Sequence, residues 1–170
     1  LSAYYFFYFA FVGAFSPYFT LYLQALDFSA TEIAVLMSLM QVMRIAAPVV
    51  WGWLSDRSGR RVAIIRLSGL ASLAGFAVFF FTTRFEGIFI AMALMAFFWS
   101  AALPLFEGLT FNHLGDRASA YGRVRSWGSV GFVVAVLAIG YLLDRLPIDT
   151  LLWMTALVLS GIVVCAFFLP

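Results

Sequence analysis

Apolar residues in this chain neither alternate nor keep to one helical stripe; they continue in long stretches. Six such runs, at approximately 2–26, 32–54, 62–83, 87–112, 122–143 and 150–169, are separated by short polar breaks. The breaks read DFSAT (27–31), SDRSGRR (55–61), RFE (84–86), HLGDRASA (113–120) and DRLPID (144–149). A helix crossing the hydrocarbon core of a bilayer needs about 20 apolar residues, whereas a spanning strand needs about 9–11 that alternate. Run length therefore predicts an all-α membrane protein of six transmembrane helices forming a single bundle over residues 1–170.

Composition agrees with that reading and narrows the partners. Charged residues make up 11% of the chain, against about 25% in a soluble domain, and 65% are hydrophobic. A lone Cys165 excludes a disulfide framework, and the Cys and His spacing offers no metal site, so no metal and no cofactor are expected. A net charge of +2 argues against a nucleic-acid partner. The first residue is Leu1, not Met, and Pro170 ends the chain as a helix closes, which suggests a piece of a longer chain. The first run is too long for a signal peptide and lacks a cleavage site.

Arginine placement predicts orientation, because cytoplasmic breaks collect basic residues. The second break and its flank hold Arg57, Arg60, Arg61 and Arg66; the fourth holds Arg117, Arg123 and Arg125. The opposite breaks offer only Arg84 and Arg145, beside Asp27, Glu86, Asp144 and Asp149. Breaks two and four, and with them both termini, are expected on the cytoplasmic side of a bacterial inner membrane.

The chain also echoes itself. Gly52-Trp-Leu-Ser-Asp56-Arg57 closes the second run and Gly140-Tyr-Leu-Leu-Asp144-Arg145 the fifth, 88 positions later. Pro17-Tyr-Phe-Thr20 is followed 87 positions later by Pro104-Leu-Phe-Glu107. The second and fifth runs end on opposite faces, so the repeat would be two inverted three-helix units, an arrangement found in transporters.

Charge inside the runs is the candidate chemistry. At the bilayer centre a charged side chain costs about 2.5–3.5 kcal/mol on insertion scales, so such residues face a partner or a watery cavity. Glu107 lies late in the fourth run, Arg125 at the mouth of the fifth, and the two are expected to meet in a solute pathway. Arg125, Ser129 and Phe132 recur at i, i+4 and i+7 and share one helical face. A guanidinium, a hydroxyl and an aromatic ring on that face suit an amphipathic organic solute. Arg44 stands 12 residues from Glu32 and 12 from Asp56, about 18 Å of helix from either. It either pairs with Glu107 or faces the cavity as an anion donor. Two deep arginines against one deep carboxylate leave one excess positive charge, which a carboxylate-bearing solute would neutralise.

Lesser features have blander expectations. Tyr4, Tyr5 and Tyr22 fit interfacial belts; Tyr8 and Tyr18 lie deeper, placed either to line the pathway or, the favoured reading, to pack. Gln41, one turn before Arg44, is placed to orient it. Gly69, Ser72 and Gly75 form a small-residue stripe for helix packing, and His113 is a solvated loop residue.

The most specific motif is GWLSDRSGRR (52–61). Gly52 would admit a close neighbouring helix, Asp56 can accept hydrogen bonds from a helix start, and Arg57, Arg60 and Arg61 suit an anionic leaflet. With its G-x-L-x-D-R-x-G-R-R spacing the chain resembles the major facilitator superfamily. In that family the loop (here Gly52, Asp56, Arg57, Gly59, Arg60 and Arg61) is a conformational latch between cytoplasmic helix ends. YYFFYFAFVGAFSPYFTLYL and YGRVRSWGSVGF extend the resemblance to the lactose permease and phenylpropionate permease branch, over what would be the amino-terminal half of a twelve-helix transporter. The resemblance implies that Glu107 and Arg125 pair and bind solute. It also implies that Ser129 and Phe132 stand where that branch has a small cysteine and a stacking tryptophan. The other partners it implies are a proton, the lipid bilayer and a missing carboxy-terminal six-helix half.

The expected function is thus a secondary active transporter, a proton-coupled symporter of a small organic solute such as an aromatic or other organic acid. The alternatives are a sugar or nucleoside symporter of the same branch, a multidrug exporter, and a non-transporting membrane scaffold. Proton-exchanging exporters resemble one another in an arginine of the fourth helix and a Gly-Pro motif of the fifth, and neither occurs here. A scaffold has no need of Arg44 and Glu107. An enzyme is not expected, since no nucleophile–base set is present.

Overall fold

The computed structural model describes residues 1–169; Pro170 lies outside them. Six helical spans cross the length of the bundle, each long and apolar enough to cross a membrane, and no strand occurs among the described residues. The first span is interrupted, as α1 (Ser2–Phe15) and α2 (Phe19–Ala25). The break falls at Pro17, which has no N–H to give the preceding turn. The other spans are α3 (Ala30–Ser58), α4 (Arg61–Ala77, continued by a 3₁₀ turn to Phe80), α5 (Phe85–Leu114), α6 (Tyr121–Leu143) and α7 (Thr150–Phe167).

Local chemistry sets the ends of α3. Ser29 begins it with a capping box: its N–H donates to Glu32 at 2.8 Å, and its hydroxyl accepts from the Glu32 N–H at 3.3 Å. Gly59 ends it in the left-handed region at φ 65°, donating its N–H to the Ser55 carbonyl. The fourth span runs past its expected end to Leu114, where Gly115 turns the chain at φ 48°.

The packing carries the repeat that the sequence hints at. Span one packs on span five as span four packs on span two; span three packs on span four as span six packs on span one. Individual contacts obey the same exchange. Gly75 lies against the Met95 backbone and Gly161 against Phe7, partners offset by 86 and 88 positions. Phe80 meets Trp153 at 4.7 Å, and Arg66 stands over Phe167 at 5.6 Å, each residue 87 positions from its counterpart. Arg57 over Trp53 is answered 88 positions later by Arg145 over Tyr141. The six spans are two three-helix units of opposite sense.

Small residues let these helices approach. Gly131 of α6 sits on the Phe6 carbonyl of α1, and a Cβ on Gly13 would lie 2.7 Å from the Phe132 carbonyl. The α4 stripe packs as expected, Gly69 against Val163 and Gly75 against Met95. Gly52 does not: nothing lies within 4 Å of its missing Cβ, so the close helix expected there is not part of this chain's own packing. Tyr4, Tyr5 and Tyr22 are also corrected, being 1%, 0% and 3% exposed and packed in the core. Tyr4 stacks on Phe106 and Tyr5 meets the same ring edge-on. Hydropathy places a tyrosine near a helix end but not on a face, and here the face is internal.

Candidate functional site

α1 packs on α6 and α5 on α3, α1 and α5 meet through ring contacts such as Tyr4–Phe106 and Tyr8–Trp99, and the four helices line an open cavity of about 470 Å³. Its wall includes Tyr8 and Phe9 from α1, Arg44 from α3, Ser100 and Pro104 from α5, and Arg125 from α6. Both members of two exchanged pairs, spans one and four and spans two and five, thus contribute to the cavity wall.

Glu107 and Arg125 are brought together. Arg125 Nε lies 3.6 Å from Glu107 Oε1, and each side chain is about one-third exposed (33% and 34%). That separation is an ion pair but too long for a hydrogen bond. Glu107 Oε1 accepts a bond of 3.3 Å from the Tyr121 hydroxyl. The Arg125 guanidinium is steadied by two rings, 4.2 Å from the Phe9 centroid and 5.4 Å from that of Tyr5. Both members keep hydrogen-bonding capacity that an incoming polar group can use. A partly exposed pair of this kind adds little to stability.

Arg44 does not pair with Glu107, and no carboxylate comes within 4 Å of it among the described residues. Its guanidinium stands 5.5 Å from the Trp99 ring, which is stacked with Tyr8 at 4.6 Å and 8°. Tyr8, expected mainly to pack, both packs and lines the cavity. Arg44 also lines a neighbouring cavity of about 380 Å³ with Gln41, Ser38 and Ser16. Ser129 and Phe132 are not part of the main cavity's wall; Ser129 is exposed, and Phe132, 38% exposed, packs across Gly13.

The 52–61 loop lies at one end of the bundle. Asp56 faces Arg61 at 3.7 Å, Arg57 stacks on Trp53, and Arg61 reaches towards Gly108. Arg66 does more than mark a basic flank: it donates to the Ala166, Phe167 and Leu169 carbonyls and closes the end of α7.

Sequence reasoning missed Tyr121, Phe9 and Ser100. Nothing local announces the first two, which depend on how α1 and α6 are turned. Ser100 had a signal: it precedes Pro104 by four positions, as Arg44 precedes Pro48.

An apolar six-helix bundle with two guanidiniums in the wall of an open cavity, one of them paired with Glu107 just outside that wall, has the build of a membrane transport protein, not of a soluble enzyme. The family model for the MFS_1 like family matches residues 1–170, and the chain belongs to that family of the major facilitator superfamily. It is 32% identical over 169 residues to the maltose permease of Geobacillus stearothermophilus, covering 98% of this chain and 42% of that protein. It is 25% identical over 138 residues to the probable 3-phenylpropionic acid transporter of Escherichia coli (strain K12), covering 81% and 36%. The crystal structure of the nucleoside transporter NupG shares the fold, with a TM-score of 0.89 at 17% identity, over 99% of this chain and 43% of that one. The chain thus spans less than half the length of these relatives.

Proposed function

We propose that this chain is the amino-terminal half of an alternating-access secondary transporter for a small amphipathic organic solute, with an organic acid as the favoured class. The observation that carries the reading is the cavity with two guanidiniums, of which only Arg125 has a carboxylate partner among the described residues. Arg44 supplies the positive charge that a solute carboxylate neutralises, while Tyr8 and Phe9 offer the apolar wall. Glu107 and Arg125 bind the solute's polar end. Ser129 and Phe132 continue the face of Arg125 along α6 and extend the contact surface.

α3 and α6 leave many large apolar side chains uncovered, Ile45, Val49 and Trp53 on one and Val133, Leu137 and Tyr141 on the other. Lipid and a second six-helix half are the partners that fit such faces, and the open side of Gly52 belongs to the same surface. The 52–61 loop, with Asp56, Arg57, Gly59, Arg60 and Arg61, acts as a latch at the cytoplasmic ends. The arginine distribution supports both termini on the cytoplasmic side, in an inner membrane. Proton coupling is supported by the resemblance, with Glu107 the carboxylate at the site.

A second reading, a neutral sugar or nucleoside as solute, is favoured by the paired state of Arg125 and by the maltose permease similarity. Uptake of labelled 3-phenylpropanoate, maltose and uridine by cells expressing the complete gene separates the two. The acid is expected to accumulate, and Arg44→Gln to lower its uptake by tenfold or more, on the order of one charge-assisted bond. Maltose accumulation without the acid, or equal losses for both in the variant, favours the neutral-solute reading.

A further inference from the structure

Ser100 is 4% exposed, lines the cavity, and its hydroxyl has no hydrogen-bond partner. Several buried hydroxyls in this bundle bond back along their own helix: Ser68 to the Ile65 carbonyl, Ser72 to Ser68, Thr110 to Phe106. The hydroxyls of Ser55, Tyr4 and Tyr5 are also buried without a partner, but none of the three belongs to the cavity wall. For Ser100 the carbonyl three residues earlier, that of Phe97, already accepts the Trp51 indole N–H at 3.0 Å. Four residues later stands Pro104, inside α5, and proline has no N–H for the Ser100 carbonyl. Ser100 thus carries an unused donor on its side chain and a carbonyl short of its helical donor. Pro48 deprives the Arg44 carbonyl in the same way, inside α3. All four residues line the one cavity. Buried polar groups without partners are costly, and at membrane depth such freed backbone is found where it lines a cavity or is covered by protein.

A donor and an acceptor on one residue recognise a group that is itself both, which a carboxylate is not and a hydroxyl is. We infer that Ser100 and the carbonyl released by Pro104 form a hydroxyl-reading subsite beside Arg44, and that the solute is a hydroxy acid: its carboxylate on Arg44, its hydroxyl on Ser100. This deepens the organic-acid reading and rests on it.

The test is calorimetric binding of three probes to the purified full-length protein: 3-phenylpropanoate, its 2-hydroxy derivative, and the neutral 3-phenylpropane-1,2-diol. The hydroxy acid is expected to bind about three- to tenfold more tightly than the plain acid, the range one net hydrogen bond supports. That ratio falls towards one in Ser100→Ala, which removes the donor. It falls also in Pro104→Ala, which returns an N–H to the Ser100 carbonyl and removes the acceptor. Arg44→Gln weakens both acids relative to the diol. A ratio near one in the unmodified protein, or one that survives both α5 variants, overturns the hydroxyl subsite while leaving the organic-acid reading intact. Binding of maltose with neither acid bound overturns both.

Discussion

Replacing Arg125 with glutamine is expected to lower initial uptake by about 10- to 150-fold, and Glu107→Gln by a comparable factor, at matched expression. The range corresponds to about 1.5–3 kcal/mol for a hydrogen bond to a charged group. Arg125 is held by Phe9 and Tyr5 and stands 3.6 Å from Glu107, so glutamine leaves the carboxylate without its countercharge and removes the solute's donor fork together. Because the two residues form one unit, the double variant should lose much less than the product of the single losses, as expected for coupled partners. The pair is one-third exposed and adds little to folding, so both variants should melt near the unmodified protein. Near-normal uptake in either single variant would remove the pair from the mechanism.

The largest structural effect is expected at Gly131. The Cβ that valine adds there meets the Phe6 carbonyl of α1, and backbone cannot move aside as a flexible side-chain tip can. Overpacking a filled site costs about 1–3 kcal/mol and occasionally more. Gly131→Val should therefore separate α1 from α6, lower the melting temperature in detergent, and abolish uptake, since Arg125 and Phe9 sit on those same two helices. Gly122→Ala, with nothing within 4 Å of its Cβ, is the matched control and should melt unchanged. Equal melting of both variants would mean that the α1–α6 approach is not a source of stability.

Much of this architecture is legible in the chain because membrane burial writes itself as run length. The six spans, the short breaks and the meeting of Glu107 with Arg125 follow from that and from the cost of deep charge. The repeat is legible only faintly, in two pairs of short echoes. What makes it plain is contact: Arg66 on Phe167 answers Trp153 on Phe80, a correspondence in which only the phenylalanine is shared, so a comparison of letters finds half of it at most. The helix faces are the part the letters hide. In an all-apolar run every face looks alike, so Tyr4, Tyr5 and Tyr22 suit an interface as well as a core, and only packing against Phe106 and Phe19 decides. Spacing likewise groups Ser129 and Phe132 with Arg125 on one face of α6, but only packing shows that, of the three, Arg125 alone reaches the main cavity's wall. Arg44 shows the converse. Its depth was readable from spacing, but whether it paired with Glu107 depended on the rotation of α3, which turns it to Trp99.

The central claim is that the space between α1, α3, α5 and α6 is a water-filled solute path. Leu103 lines it without carrying charge, and Cys165 is the single thiol among these 170 residues. In the complete protein with every native cysteine, Cys165 included, replaced by serine, the rate at which Leu103→Cys reacts with a water-soluble maleimide is the direct measurement. The account predicts prompt reaction that slows when the transported solute is added; no reaction, or a rate indifferent to solute, would contradict it.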